Sequence, residues 1–373
     1  MSFERTDTST LGRWWWTVDR LSLGAMILLI GIGMVLTFSA SPAVAVRFGL
    51  GPYHFVKRQL IFGFPAMLVL AGASLLTPLQ VRRLSAIGVM ASVMMMVVVL
   101  VIGSDIGGAA RWLTLAGLSI QPSEFFKPTF AVVIAWMFSE ARLHPGFPGR
   151  QIATALLALG AVLLLAEPDV GQTLIISGIW GIEFFLAGLP LVMVGVLILL
   201  GAAGAVGAYF AFHHVQVRVA HFFDPRADGS YQVITALKAI HHGGLFGVGP
   251  GEGRLKLILP DAHTDFILAV AGEEFGVLVC VAVIALFALV VVRGLSRLNR
   301  EDNLFIVLAA SGLFSQFGLE AIVNMATTLR LMPAKGMTLP FISYGGSSTV
   351  GMALAMGMAL ALTRTRYPAE GAS

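Results

Sequence analysis

Hydrophobic positions in this chain come in long unbroken blocks, without the alternation or one-sided spacing of water-facing strands and helices. Leu21 to Val46 carries no charged residue, and neither do Gln59 to Val81 or Leu84 to Ser104. About 20 consecutive apolar residues suffice to cross a bilayer core as a helix. The blocks predict ten such helices, over about 21–41, 59–77, 85–104, 122–139, 152–167, 172–188, 190–212, 265–292, 304–324 and 346–363. Punctuation agrees with these edges at Thr77-Pro78, His144-Pro145-Gly146, Leu189-Pro190 and Tyr367-Pro368. The eighth block is long enough to tilt or to begin outside the bilayer. Continuous blocks argue against a β-barrel, whose strands alternate. The expected fold is an all-α polytopic membrane protein of about ten transmembrane helices.

An even number of spans places both termini on one side. Between the seventh and eighth spans lies the one long loop, 213–264, rich in glycine from Gly229 to Gly253. The chain therefore reads as one membrane domain over 1–373, with a tail at 1–20, this loop, and a second tail at 364–373. Arg13-Trp14-Trp15-Trp16 suits an interfacial anchor ahead of a retained first helix.

Composition narrows the class further. Of 373 residues, 57% are hydrophobic and 12% charged, about half the charge of a soluble domain. A soluble enzyme and a disordered chain are excluded, and a single cysteine, Cys280, allows no intrachain disulfide. The net charge of +4 gives no sign of nucleic acid. Lys and Arg are almost evenly divided between the two sides. Setting aside the long loop leaves an excess beside the termini and predicts that they are cytoplasmic. The near-parity also means that the opposite side holds many cations.

Polar residues beside or within hydrocarbon are costly and mark candidate chemistry. Arg111-Trp112 follows the third span. Glu124 and Lys127, at i,i+3 in Gln121-Pro122-Ser123-Glu124-Phe125-Phe126-Lys127, suit an ion pair that neutralises both. Glu167-Pro168-Asp169 is either a tight turn or a broken helix around a cavity. Glu183 stands alone among apolar residues. The densest cluster is Asp261-Ala262-His263-Thr264-Asp265-Phe266 with Glu273-Glu274 beyond it. Asp265 alone suits a helix cap, which leaves His263, Thr264 and the glutamate pair unexplained. His213-His214, His241-His242 and His263 show no zinc-ligand spacing, and no metal ligand is assigned. Finally, Lys335 precedes a glycine- and hydroxyl-rich helix entry containing Ser343 and Ser347. That entry suits either an anion or close helix packing.

Taken in order, these segments resemble the SEDS family (shape, elongation, division and sporulation) of ten-span peptidoglycan glycosyltransferases. The likeness covers nearly the whole chain. It rests on Phe55-Val56-Lys57-Arg58-Gln59, Ala110-Arg111-Trp112-Leu113, the Gln121–Lys127 segment, Pro168-Asp169-Val170-Gly171, Gly229-Ser230-Tyr231-Gln232, Ala262-His263-Thr264-Asp265-Phe266, Glu273-Glu274-Phe275-Gly276 and Ile342-Ser343-Tyr344-Gly345-Gly346-Ser347-Ser348. The Phe55–Arg58 and Lys335–Pro340 segments look more like the cell-division branch than the elongation branch. Asp261 departs from the glutamate common there.

The resemblance implies polymerisation of lipid II into glycan strands with release of polyprenyl diphosphate. It also implies a place in the bacterial inner membrane at the division septum. The implied partners are lipid II and the nascent glycan strand, a class B penicillin-binding protein (an FtsI-like transpeptidase) and other divisome membrane proteins. Asp265 is the implied catalytic residue. Arg58, Arg111, Trp112, Glu124, Lys127, Asp169, His263, Thr264, Lys335, Ser343 and Ser347 are the implied substrate-binding residues. A divalent cation, Mg or Mn, is compatible with the diphosphate. Two other classes suit the same residues: a lipid II flippase, and a noncatalytic scaffold for a penicillin-binding transpeptidase.

Overall fold

The computed structural model describes residues 9–105, 110–115, 118–211, 213–223, 230–333 and 336–365. After a short helix α1 (Thr10–Thr17), ten helices coincide with the ten predicted blocks. They are α2 (Arg20–Arg47), α3 (His54–Ser74), α4 (Pro78–Ile102), α5 (Ser123–Leu143), α6 (Gly149–Ala166), α7 (Val170–Leu186), α8 (Leu191–Ala211), α11 (Ile267–Leu298), α12 (Leu304–Thr328) and α13 (Gly346–Leu362). Seven are long and apolar enough to cross a membrane, and α7 and α13 are shorter apolar helices of 17 residues. The remaining one, α5, carries Glu124, Lys127, Glu140 and Arg142. Large side chains of α4 such as Ile87, Met90, Met94 and Val101 face outward, a surface only lipid can solvate. The protein is an integral membrane protein.

The most buried helices are α13, α12 and α5. α5 packs against α4, α6, α7, α12 and α13, and α3 lies along α13. Small residues bring α13 close to its neighbours. A Cβ at Gly357 would meet Ala73 and the Leu70 carbonyl, and one at Gly351 would meet the Glu124 carbonyl. By contrast α8 contributes no buried residue among those described.

Three departures from the sequence reading shape the site. First, residues 104–120 form a small antiparallel sheet of β1 (Ser104–Asp105), β2 (Ala110–Leu115) and β3 (Leu118–Ile120), in the order β1-β2-β3. Trp112 pairs with Ser104, and Leu113 with Ile120.

Second, the stretch 213–264 holds two helices, α9 (His213–Phe223) and α10 (Ser230–Gly243). α10 packs on α11, with Val233, Ala236 and Ala239 buried.

Third, α11 is broken. Gly276 has φ 83° and ψ 172°, and Cys280 Sγ lies 3.7 Å from the carbonyl of Leu268, twelve residues earlier. In a straight helix those positions would be about 18 Å apart. The arm Ile267–Phe275 therefore folds back against the spanning part. The break is held by the segment after α10: Val277 and Leu278 donate to the carbonyls of Gly244 and Leu245, while Val248 and Gly249 donate to those of Glu273 and Glu274.

Candidate active site

The arm of α11 sets the position of Asp265. Phe266 occupies the N-cap position of α11. The side-chain amide of Asn324, at the end of α12, donates to the Asp265 carbonyl at 2.9 Å and to the Met337 carbonyl at 2.6 Å. One asparagine thus ties the arm, α12 and the 336–345 segment together. The preceding loop is anchored from below. The Glu273 carboxylate accepts the backbone N–H groups of Arg254, Leu255 and Lys256, and Glu274 pairs with Lys256 and accepts from Ser39 of α2. The glutamate pair is buried scaffolding for the loop that leads to Asp265.

Asp265 and Thr264 line a cavity of about 540 Å³ at the end of the bundle opposite the termini. Arg58 and Phe62 of α3, Arg111 and Trp112 of β2, Glu124 of α5, and Asp169 and Gln172 at the start of α7 complete one side. Asp261, Thr338, Tyr344 and the glycines at the start of α13 close the other. Burial raises the Tyr344 phenol, against the effect of the Arg58 hydrogen bond it accepts. Burial likewise raises Asp261.

Arg111 reaches from the sheet to the turn between α6 and α7. Its Nε donates to the Glu167 carbonyl at 2.8 Å, one Nη donates to the Pro168 carbonyl, and the other lies 3.5 Å from Asp169 Oδ2. The Glu167–Asp169 turn is therefore a tight turn against a cavity, with Asp169 also capping α7 through the Gln172 N–H at 3.1 Å. Burial raises Asp169, and Arg111 opposes it. Glu167 is buried with no hydrogen-bond partner for either oxygen among the described residues. Burial, reinforced by Asp169, pushes it up to about 8 despite Arg111.

Behind Glu124 lies a charge cluster. The predicted Glu124–Lys127 pair forms, at 2.9 Å, and Lys127 Nζ is also 2.7 Å from Glu320 of α12. These are ion pairs without aligned hydrogen-bond geometry. Gln172 donates to Glu124 at 2.9 Å and Gln316 to Glu320 at 3.1 Å. Lys127 is 1% exposed, so it forms the floor behind the cavity wall and does not itself line the cavity.

Of the predicted residues, Arg58, Arg111, Trp112, Glu124, Asp169, Thr264 and Asp265 converge on the cavity. Four lie off its lining. His263 is buried between Phe55 and Tyr344, with ring centroids 4.2 and 5.3 Å away, and burial holds it down at about 4, so it is neutral. Ser343 donates to the Thr264 carbonyl and accepts from the Leu339 N–H. The Ser347 hydroxyl accepts from the Gln121 N–H. Lys127 is the fourth. Lys335 lies outside the described residues. Glu320, Phe62 and Gln172 were missed. The only signal for Glu320 was its i,i+4 partner Gln316 inside an apolar block. Among the described residues no three His, Cys, Asp or Glu side chains converge as a metal site.

The model of a family described as "Cell cycle protein", covering FtsW, RodA and SpoVE, matches residues 19–367. A Caulobacter vibrioides protein named probable peptidoglycan glycosyltransferase FtsW is 45% identical over 373 residues, covering 100% of this chain and 96% of the relative. The protein so named in Methylococcus capsulatus is 36% identical over 360 residues, covering 92% and 90%. The rod shape determining protein RodA of Thermus thermophilus superposes with a TM-score of 0.69 at 25% identity, covering 94% of this chain and 97% of that one. A chain from a peptidoglycan synthase complex, whose structure is described as coordinating polymerization and crosslinking, gives a TM-score of 0.77 at 24% identity, covering 94% and 98%. That likeness speaks for the fold alone. With nearly the whole chain matched by the family model, the protein belongs to the FtsW, RodA and SpoVE family of cell cycle proteins.

Proposed function

We propose that the protein is a peptidoglycan glycosyltransferase that polymerises lipid II for septal wall synthesis, with Asp265 as the catalytic base. The observation that carries this reading is one cavity holding a carboxylate, Asp265, together with two arginines, Arg58 and Arg111. The reaction needs both. The 4-hydroxyl of the acceptor GlcNAc attacks the anomeric carbon of the MurNAc that ends the growing strand. The bond to the polyprenyl diphosphate breaks, with inversion. As the new bond forms, the attacking oxygen becomes positive and its proton passes to Asp265. General-base assistance of this kind is typically worth about 10²–10⁴ in rate. Negative charge grows on the leaving diphosphate, where fixed cations stabilise it. Arg58 and Arg111 are the fixed cations offered there among the described residues, and the diphosphate would bring any Mg or Mn ion with it.

The site faces the periplasm in this reading, with the termini cytoplasmic and the protein in the inner membrane at the septum. Its partner there is a class B penicillin-binding protein. Glu252, exposed in the segment after α10, reports the orientation. In a Cys280→Ser background, Glu252→Cys is expected to react with an impermeant thiol reagent in intact spheroplasts, and labelling only after lysis would reverse the topology.

The decisive assay uses purified protein in detergent, labelled lipid II and a class B penicillin-binding protein present or absent. Polymer made there cannot come from a flippase, because micelles have no sides. Asp265→Asn retains size and is expected to fold, bind lipid II and lose nearly all polymerisation. A folded Asp265→Asn variant within severalfold of wild type would remove Asp265 from the base role.

A further inference from the structure

The segment following α10 leaves large apolar side chains in the open. Leu245 is 61% and Phe246 80% exposed, with Leu257 and Ile258 about half exposed nearby. Beside them lies a groove of about 550 Å³ lined by Lys238, His241, His242, Arg254 and Leu255. His242 is paired with the buried Glu273 at 3.1 Å, which leaves Lys238 and Arg254 to give the groove its positive charge, with His241 beside them.

Backbone hydrogen bonds fix the height of this segment. Leu278 donates to the Leu245 carbonyl and Val277 to that of Gly244, so the tip sits level with the start of the spanning part of α11. From Leu278 to Leu298 a helix rises about 30 Å, the thickness of a hydrocarbon core. The opposite end of that rod is marked by Arg293 and Arg297, both held by Asp19. The tip is therefore at the edge of the hydrocarbon in the leaflet away from the termini. A basic groove beside apolar side chains at that depth matches an element that lies in the interface and attracts anionic lipid.

We propose that α10 and residues 244–258 form an interfacial docking surface. Leu245 and Phe246 enter the leaflet, and the groove of Lys238, His241 and Arg254 takes the phosphate headgroup of an anionic phospholipid. The surface lies apart from the cavity of Asp265 and shares no lining residue with it.

The test uses the full chain with Cys280→Ser and Phe246→Cys, bimane-labelled, in nanodiscs of phosphatidylcholine containing a minority of phosphatidylglycerol. One or the other lipid carries bromine on its acyl chains. Brominated phosphatidylglycerol is expected to quench severalfold more per mole than brominated phosphatidylcholine. That excess is expected to vanish in Lys238→Gln/Arg254→Gln, while quenching by phosphatidylcholine persists. No quenching by either lipid would put the tip in water and overturn the proposal. Equal quenching by both, or an excess that survives the double substitution, would overturn the headgroup site.

Discussion

Lys127→Met removes the one cation from a cluster with two anions. Methionine keeps the length and apolar stem, so the change is chiefly one of charge. Glu124 and Glu320 are each 4% exposed, and both lose their ion pair, at 2.9 and 2.7 Å, in one step. Their other partners, Gln172 and Gln316, each supply a single amide hydrogen bond. Breaking a buried pair by removing one member costs about 3–5 kcal/mol, because a charge is left uncompensated. The two losses share one site and do not simply add, so the expected cost is about 3–5 kcal/mol rather than twice that. Glu320→Gln is the control. It leaves the Lys127–Glu124 pair whole, an equal balance of charge and a side chain that still reaches Gln316, so a cost on the order of 1 kcal/mol is expected. Denaturant unfolding in detergent, followed by tryptophan fluorescence, ranks the two. If Lys127→Met is as stable as Glu320→Gln, the cluster is solvated and the argument from burial fails.

Two further outcomes follow from the turn between α6 and α7. Arg111→Ala is expected to cost about 1.5–3 kcal/mol of stability, the worth of one charged hydrogen bond, and to lower polymerisation about tenfold or more, the equivalent of at least 1.4 kcal/mol. Arg111→Lys, which keeps the charge but loses the fork that bridges two carbonyls, should restore turnover more than stability. Turnover that follows stability across both variants would make Arg111 a clamp for the turn only. Glu167, held near 8 in the fold against 4.5 when unfolded, binds more protons folded than unfolded between those values. Its contribution to stability is thus full below about 4.5, falls as the pH rises to about 8, and is flat above. Stability curves of wild type and Glu167→Gln should diverge over that window, the variant gaining as pH rises. Parallel curves would mean that Glu167 is solvated.

The ten helices were legible because a membrane span announces itself by length and hydropathy alone. The Glu124–Lys127 pair was legible because i,i+3 spacing places both on one helical face. Its third member was not, since Glu320 is distant in sequence and no local pattern pairs α5 with α12. The break at Gly276 was hidden for a different reason. A glycine in an apolar block also serves close packing, and only the backbone of a remote segment forces the fold back. Ser343, Ser347 and His263 lie just off the cavity lining, a distinction that sequence does not carry. A hydroxyl that holds the Thr264 carbonyl and one that faces substrate have the same sequence.

The seam between the segment after α10 and the break in α11 is built from main chain meeting main chain. A Cβ at Gly243 would strike the Gly272 carbonyl, one at Gly247 the Glu274 carbonyl, and one at Gly276 the Leu245 carbonyl. Gly247 and Gly276 also hold φ near 83°, a region that disfavours any side chain. For mutational scanning, alanine is thus not a neutral probe at these positions but the insertion of a wedge. Inactivity at Gly276→Ala would map among the catalytic residues while reporting only that the arm bearing Asp265 had been displaced. The large side chains between the glycines, Leu245 and Phe246, would tolerate replacement by other apolar residues. The usual ranking, in which bulky residues are structural and small ones dispensable, is inverted along this stretch.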